Sequence, residues 1–416
     1  MRSVLVHAVA TPLPVLGSDI TVPVTDGRHV PYVNLDVAAS APCAAVAADA
    51  VHRLLPGYAS VHRGAGLLSR RCTDAYEQAR HTVAEFLGCR TGDRLVFTRN
   101  TTDALNLLAH VVPDETTVVT FASEHHAGLL PWRRTVRLPI PGSPQEAVAA
   151  ADQALRRHRP ALLAVTGASN VTGELWPIAD LARVARRHGA RIAVDAAQLA
   201  AHRPVRLDEL GLDYVAISGH KLYAPFGTGV LAGAGDWLDA APPYLRGGGA
   251  TAHVDETGQA DWATGTARHE AGTPNLAGAI ALAAVCDALT PTAWSALTER
   301  EHSLLDQLDG GLAAIPGLRQ LSLFGPGHPR VGIASFAIAG LDSRLLAGRL
   351  ADEHGIGVRD GLFCAHPLTR HLLARHQDEL PATAVRASVG AGTTPAHIDR
   401  LVGAVRDIAT QPAPAG

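Results

Sequence analysis

Six short apolar runs punctuate the middle of the chain: RLVFT (94–98), TVVTF (117–121), ALLAVT (161–166), RIAVD (191–195), YVAIS (214–218) and GVLAG (229–233). Their apolarity is nearly continuous rather than alternating, which marks strands buried on both faces of a mostly parallel sheet. Between them, Thr102–Val111 and Ile178–His188 read as helices, the second with Leu181, Val184 and Ala185 at helical spacing. Strand and helix in alternation predict an α/β layered fold. A Gly- and Pro-rich stretch, 240–259, interrupts the pattern and reads as an excursion or hairpin near the surface. Past residue 290 the order changes to helix 297–314, strand 332–338, helix 343–354 and helix 395–409. The expected division is an N-terminal segment (1–30) packed with the small domain, a large ligand-binding domain (31–290) and a smaller C-terminal α+β domain (291–416). The closing TQPAPAG is expected to fray.

Composition narrows the class. At 416 residues, with 47% hydrophobic and 18% charged positions, the chain fits an ordinary globular protein with a large core. A net charge of −3 and the absence of a dense basic run give no case for nucleic acid or an anionic membrane. The five cysteines are odd in number and widely spaced, unlike a disulfide framework or a zinc site. The opening MRSVLVHAVATPLPVLGS imitates a signal peptide, but His7 and two prolines break its short apolar stretch. A cytoplasmic location is expected.

The polar residues that follow the strands carry the chemistry, because open α/β sheets bind ligands at their strand C-termini. After RLVFT, Asn100 can cap a helix whose first turn presents Thr101 and Thr102, a seat for phosphate that an ordinary capped helix would also resemble. After TVVTF comes His125-His126, a poor chelating pair because neighbouring side chains diverge, although one imidazole could lie against a flat ring. After RIAV come Asp195 and Gln198; a carboxylate at a buried strand end calls for a positive partner such as a protonated ring nitrogen. After YVAIS come Ser218, His220 and Lys221. Lys221 is the one lysine among 36 Lys/Arg positions. An arginine there would stay protonated, whereas a desolvated lysine can lose its proton and form a Schiff base. Gly227 and Gly229 allow a close approach, but no third glycine in register makes a dinucleotide motif. Phosphate seat, ring-nitrogen partner and imine-forming lysine together describe pyridoxal phosphate.

With those residues in view, the sequence resembles the class V aminotransferase family of fold-type I pyridoxal-phosphate enzymes, nearest its group II cysteine desulfurases and selenocysteine lyases. The similarity runs through VNLDVAASAP (33–42), SVHRGAGLLSRR (60–71), SEHHAGLLPW, SNVTGELWPI (169–178), VDAAQ, SGHKLYAPFGTGVL, RHEAGTPN (268–275), GVRDGLFCAHPL (357–368) and VRASVGAGTTPAHIDRL (385–401). The resemblance implies that Lys221 holds the cofactor and moves the Cα proton, with His125 against the ring. It implies that Asp195 pairs with the ring nitrogen and that Gln198 donates to the ring oxygen. Thr101, Thr102, Ser218 and His220 would hold the phosphate, and Thr273 would reach the phosphate of a partner subunit in a homodimer. Arg386, helped by Asn170, would clamp the substrate carboxylate.

Cys364 bears on the reaction. In the resembling desulfurases a cysteine in this segment takes the substrate's sulfur as a persulfide, which implies a cysteine-like substrate, alanine as product and a possible sulfur-acceptor protein. Thiolate chemistry needs a nearby cation, and Arg359, also a candidate for substrate binding, is the expected neighbour; the segment from Gly361 to Pro367 is expected to be a flexible loop. Two departures stand out. Leu362-Phe363 replaces the His-His pair that usually precedes this cysteine, and Asn100 replaces the first glycine of the usual Gly-Thr-Thr. These keep open a C–S lyase acting by β-elimination on a cysteine conjugate, or an aminotransferase or epimerase of specialised metabolism.

Overall fold

A computed structural model describes residues 12–376 and 380–410. Residues 1–11 of the signal-like opening stretch, and all of the closing TQPAPAG except Thr410, lie outside the described residues. Strands of the two main sheets are numbered β1–β11. The larger sheet contains β1 (Asp93–Thr98), β2 (Thr117–Phe121), β3 (Thr135–Leu138), β4 (Ala161–Thr166), β5 (Arg191–Asp195), β6 (Tyr214–Ser218) and β7 (Gly229–Ala234) in the order β1-β7-β6-β5-β4-β2-β3. Strands β2 to β6 run parallel, while β7 is antiparallel to both of its neighbours. Ten residues, 219–228, join β6 to β7. That is too short for the crossover a parallel pair requires, so the strand reverses.

Helices cover both faces: α1 (Ala45–Leu54), α2 (Leu67–Phe86), α3 (Thr101–Val111), the single turn α4 (His126–Leu129), α5 (Pro144–Arg157), α6 (Ile178–Arg187) and α7 (Leu276–Ala288). One core joins α2, α6 and α7 to the sheet, and a second lies under α3 on the other face. The alternating pattern did not disclose α2, because its buried stripe is Ser69, Cys72, Tyr76, Ala79 and Val83, small or polar at most positions. The Gly/Pro-rich excursion contains a short hairpin, Thr251–Val254 with Ala260–Trp262.

The smaller sheet, β8 (Leu318–Gln320), β9 (Ile333–Ile338), β10 (Arg359–Gly361) and β11 (Ala384–Ser388), is antiparallel in the order β8-β9-β11-β10. It shares a third core with α8 (Pro291–Ala313), α9 (Ser343–His354) and α11 (Pro395–Thr410); α10 (His366–Ala374) instead sends Leu368, Leu372 and Leu373 into the first core. Helix α8 begins before the expected 297, because Thr290 Oγ accepts from Ala293 N–H at 3.2 Å and Pro291 occupies the first turn. The chain's early residues thread through this region. Val33–Asn34 pairs in parallel with Ile356–Gly357, and Ser388 N–H donates to Leu35 O at 2.7 Å. Asp36 is thereby set beside β10 and β11.

The site end of the large sheet depends on one close backbone approach. A Cβ on Gly229 would stand 2.5 Å from Asn100 Cα and 2.8 Å from Ile217 O, where neither backbone can yield cheaply. Gly229→Ala is therefore expected to lower stability by about 1–3 kcal/mol, as overpacking does. It should also displace the α3 N-terminus. Denaturant unfolding checks the first effect, and phosphate-ester affinity checks the second.

Candidate active site

Five strand ends converge on one cavity of about 350 Å³. β1 leads to Asn100, Thr101 and Thr102; β2 to His125; β4 to Asn170; β5 to Asp195 and Gln198; β6 to Ser218, His220 and Lys221; all of these line it. Arg359, Phe363, Cys364 and Arg386 close it from the smaller sheet's side. Of the expected site residues only Thr273 is elsewhere, in a separate depression with Tyr76 and Glu270. His126 also points away from the cavity: its ring packs edge-on against His366, centroids 4.5 Å apart.

At one end the cavity offers donors. Asn100 caps α3 by accepting from Asp103 N–H at 3.0 Å. Thr101 N–H and Oγ both donate to Ser218 Oγ, at 2.8 and 2.9 Å, so the Ser218 proton is left to point into the cavity. Among the described residues the N–H and hydroxyl of Thr102 have no partner. A dianionic phosphate suits this end, because helix N-terminal amides and hydroxyls would replace its water.

At the other end lies Asp195. Its carboxylate is buried and takes one hydrogen bond, from Ala197 N–H at 2.9 Å. Burial raises its pKa, while the Ala197 amide and Lys221 pull it down. Such a carboxylate is stabilised by a cation in the cavity, which a protonated pyridine nitrogen provides. Gln198 donates Nε2–H to Ala38 O at 2.9 Å, leaving the amide's second proton for the ligand. His125 caps the α4 turn, its Nδ1 accepting from Ala127 N–H at 3.1 Å, so the ring proton sits on Nε2. Burial, and then the charges of Lys221, His126 and Arg386, lower its pKa to about 4. His125 is thus a neutral, flat ring facing the cavity. Donors for phosphate, a carboxylate short of a cation and a neutral ring fit pyridoxal phosphate at this site.

Lys221 lies between these ends. It is half-buried, and desolvation lowers its pKa to about 8 against the opposing pull of Asp195. The loop that carries it is clamped from three directions. Ala41 N–H donates to His220 O at 2.8 Å, Ala44 N–H to Tyr223 O at 2.9 Å, and Ala391 N–H to Tyr223 Oη at 3.0 Å. Tyr223 holds a φ of +57° within that clamp.

On the substrate side, sequence reasoning missed Asp36. Its carboxylate receives Arg359 Nη2 at 2.8 Å and Arg386 Nη2 at 3.3 Å. Arg386 also donates to Asn170 O at 3.0 Å, lies over the Phe363 ring at 5.4 Å and keeps a buried Nε without a partner. Arg359, half exposed, is turned onto Asp36, and the cations whose fields meet the Cys364 thiol are Lys221 and Arg386. The expected loose loop at Gly361–Pro367 is instead a tight turn. Asn170 Nδ2–H donates to Phe363 O at 2.7 Å, His126 N–H to Cys364 O at 2.8 Å and Ala365 N–H to Leu362 O at 3.0 Å. Phe363 and Cys364 have φ of +52° and +53°, left-handed values that non-glycine residues adopt only when their surroundings impose them. Phe363 is buried and the Cys364 thiol is exposed. Asn170 thus holds the thiol's turn through its amide N–H and touches the Arg386 guanidinium through its backbone carbonyl.

The lysine's environment makes a direct prediction. The neutral amine is the nucleophile, so borohydride trapping of pyridoxal phosphate on Lys221 should rise with pH through about 8. A midpoint near the ordinary 10.5 would contradict the desolvated setting. Lys221→Arg should trap nothing at this position.

The comparisons agree with this geometry. The family model described as "Aminotransferase class-V" matches residues 33–401. A cysteine desulfurase of Klebsiella pneumoniae (strain 342) is 35% identical, covering 97% of this chain and 98% of the relative, and one of Yersinia pseudotuberculosis serotype O:1b is 35% identical over 91% and 93%. Among solved structures, the apo cysteine desulfurase of Thermococcus onnurineus NA1 superposes with a TM-score of 0.81 at 31% identity, covering 91% of this chain and 94% of that one. The cysteine desulfurase CsdA of Escherichia coli gives 0.77 at 31% identity, over the same shares. The chain belongs to the aminotransferase class-V family of enzymes.

Proposed function

We propose that this protein is a pyridoxal-phosphate-dependent cysteine desulfurase that takes sulfur from L-cysteine, or a close analogue, onto Cys364 and releases alanine. The observation that carries the reading is the exposed Cys364 thiol, held in a strained turn at the mouth of the cavity that contains Lys221 and Arg386. Relatives named cysteine desulfurases match nearly the whole chain, which supports the same reaction.

Arg386, which lines the cavity, receives the substrate carboxylate, with Asp36 and Asn170 fixing the guanidinium plane. Lys221 Nζ, neutral above pH about 8, takes the proton from the substrate Cα. Asp195 would pair with the ring nitrogen of the bound cofactor and hold a proton on it. Pyridoxal phosphate, when bound, supplies the electron sink that makes the Cα proton acidic. Cys364 Sγ then attacks the substrate sulfur as thiolate: an S–S bond forms, the C–S bond breaks, and its electrons return to Cβ, which takes a proton and becomes the methyl group of alanine. Thr273 lies outside this cavity and we assign it to the site of a second subunit in a homodimer. A reducing, cytoplasmic setting suits the five free cysteines.

Two variants test the proposal. Cys364→Ser should lower alanine formation from L-cysteine by roughly 100-fold or more, since its hydroxyl is a poor nucleophile toward sulfur. Full alanine formation in that variant would remove Cys364 as the sulfur acceptor, and pyruvate and ammonia in place of alanine would move the reaction to β-elimination. Asp36→Asn should raise KM for L-cysteine about tenfold with a smaller change in kcat, because uniform binding is what it disturbs. Steady-state kinetics separates the two constants.

A further inference from the structure

The turn around Cys364 is pinned by Asn170 and His126, so a sulfur atom carried there leaves from a fixed place. Whatever accepts it must come to that rim. Helix α10 starts two residues after the thiol and buries Leu368, Thr369, Leu372 and Leu373. Its outward face presents His366, Arg370 and His371, and Arg375 and His376 follow in the next turn, all exposed. No acidic residue occurs from 366 to 376, although the whole chain has a net charge of −3. Among the described residues the side chains of Arg370 and His371 form no hydrogen bond or ion pair. The carboxylate on the cavity side, Asp36, is already shared by Arg359 and Arg386. Across the rim, His126 packs on His366, and Leu130, 64% exposed, lies one turn further along.

We propose that this α10 face is the docking surface for a sulfur-accepting protein that presents its thiol on an acidic segment. The proposal rests on the desulfurase reading above and adds the chemistry of the acceptor. In the transfer, the acceptor thiolate attacks the outer sulfur of the Cys364 persulfide. A new S–S bond forms on the acceptor, the bond to Cys364 breaks, and Cys364 leaves as thiolate, so no further oxidant or reductant is needed. The fixed charges of Arg370 and Arg375 on this face would steer an acidic partner and repel a basic one, an effect that salt screens.

The test uses enzyme loaded with L-cysteine without reductant and freed of excess substrate. Two peptides of equal length, each with one cysteine flanked by Asp/Glu or by Lys, are mixed with it, and sulfur transfer is followed by peptide mass. Rates are divided by each peptide's thiolate fraction. The acidic peptide should react roughly tenfold faster or more at low salt, with the advantage shrinking at high salt. The double variant Arg370→Glu/His371→Glu should erase that advantage while leaving alanine formation in the presence of a small reducing thiol unchanged. Equal rates for the two peptides, or a preference untouched by the double variant, would overturn the proposal. An enzyme that takes up no sulfur would overturn the desulfurase reading and this proposal with it, whereas loaded enzyme without a charge preference overturns the proposal alone.

Discussion

The arrangement hangs on the desolvation of one amine. Lys221 is half-buried against the cavity wall, and the loss of water makes its charged form expensive, so its pKa falls to about 8. A guanidinium in the same place would remain a cation and could not become a nucleophile. The same dry setting raises Asp195 and lowers His125, so each group around the ligand space has its protonation state set by burial first and by its neighbours second. The loop that carries the amine is held by Ala41, Ala44 and Ala391, from opposite ends of the chain. Even the reversal of β7 belongs to this scheme, since the ten-residue connection returns the chain past Asn100 at glycine distance.

The second constraint is the fixed thiol. Two consecutive non-glycine residues in left-handed conformation cost of order 1–3 kcal/mol each and persist because Asn170, His126 and Ala365 over-determine the turn. The outcome is a nucleophile that stays exposed at the cavity mouth while its neighbour Phe363 is buried beneath Arg386. On the desulfurase reading proposed above, the carboxylate clamp delivers the substrate sulfur to this thiol and the product sulfur is collected from outside. That division matches the paired charges on the cavity side and, on the outer side, the side chains of Arg370 and His371, which form no ion pair among the described residues.

Much of the site was legible because its parts follow strands whose apolar runs are unmistakable. Thr101, Asp195 and Lys221 each stand at or just past the C-terminal end of such a run, and the parallel sheet brings those ends together. Asp36 was not legible in this way. Its partner Arg386 is 350 residues away, and no local pattern marks their contact. The left-handed turn was hidden because Leu362-Phe363-Cys364 contains no glycine to announce it. The pairing of His126 with His366 needed two helix starts to meet in space, so neither histidine was informative alone. Helix α2 escaped notice for a packing reason: its buried stripe relies on Ser69, Cys72 and Ala79 rather than on large apolar side chains.

The most direct measurement is mass analysis of the intact protein and its Cys364 peptide after a single turnover with L-cysteine in the absence of reductant. A gain of one sulfur atom confined to that peptide, matched one-to-one by alanine, is the predicted result. No gain at Cys364, with pyruvate and ammonia released instead, would contradict a sulfur-accepting thiol at the cavity mouth.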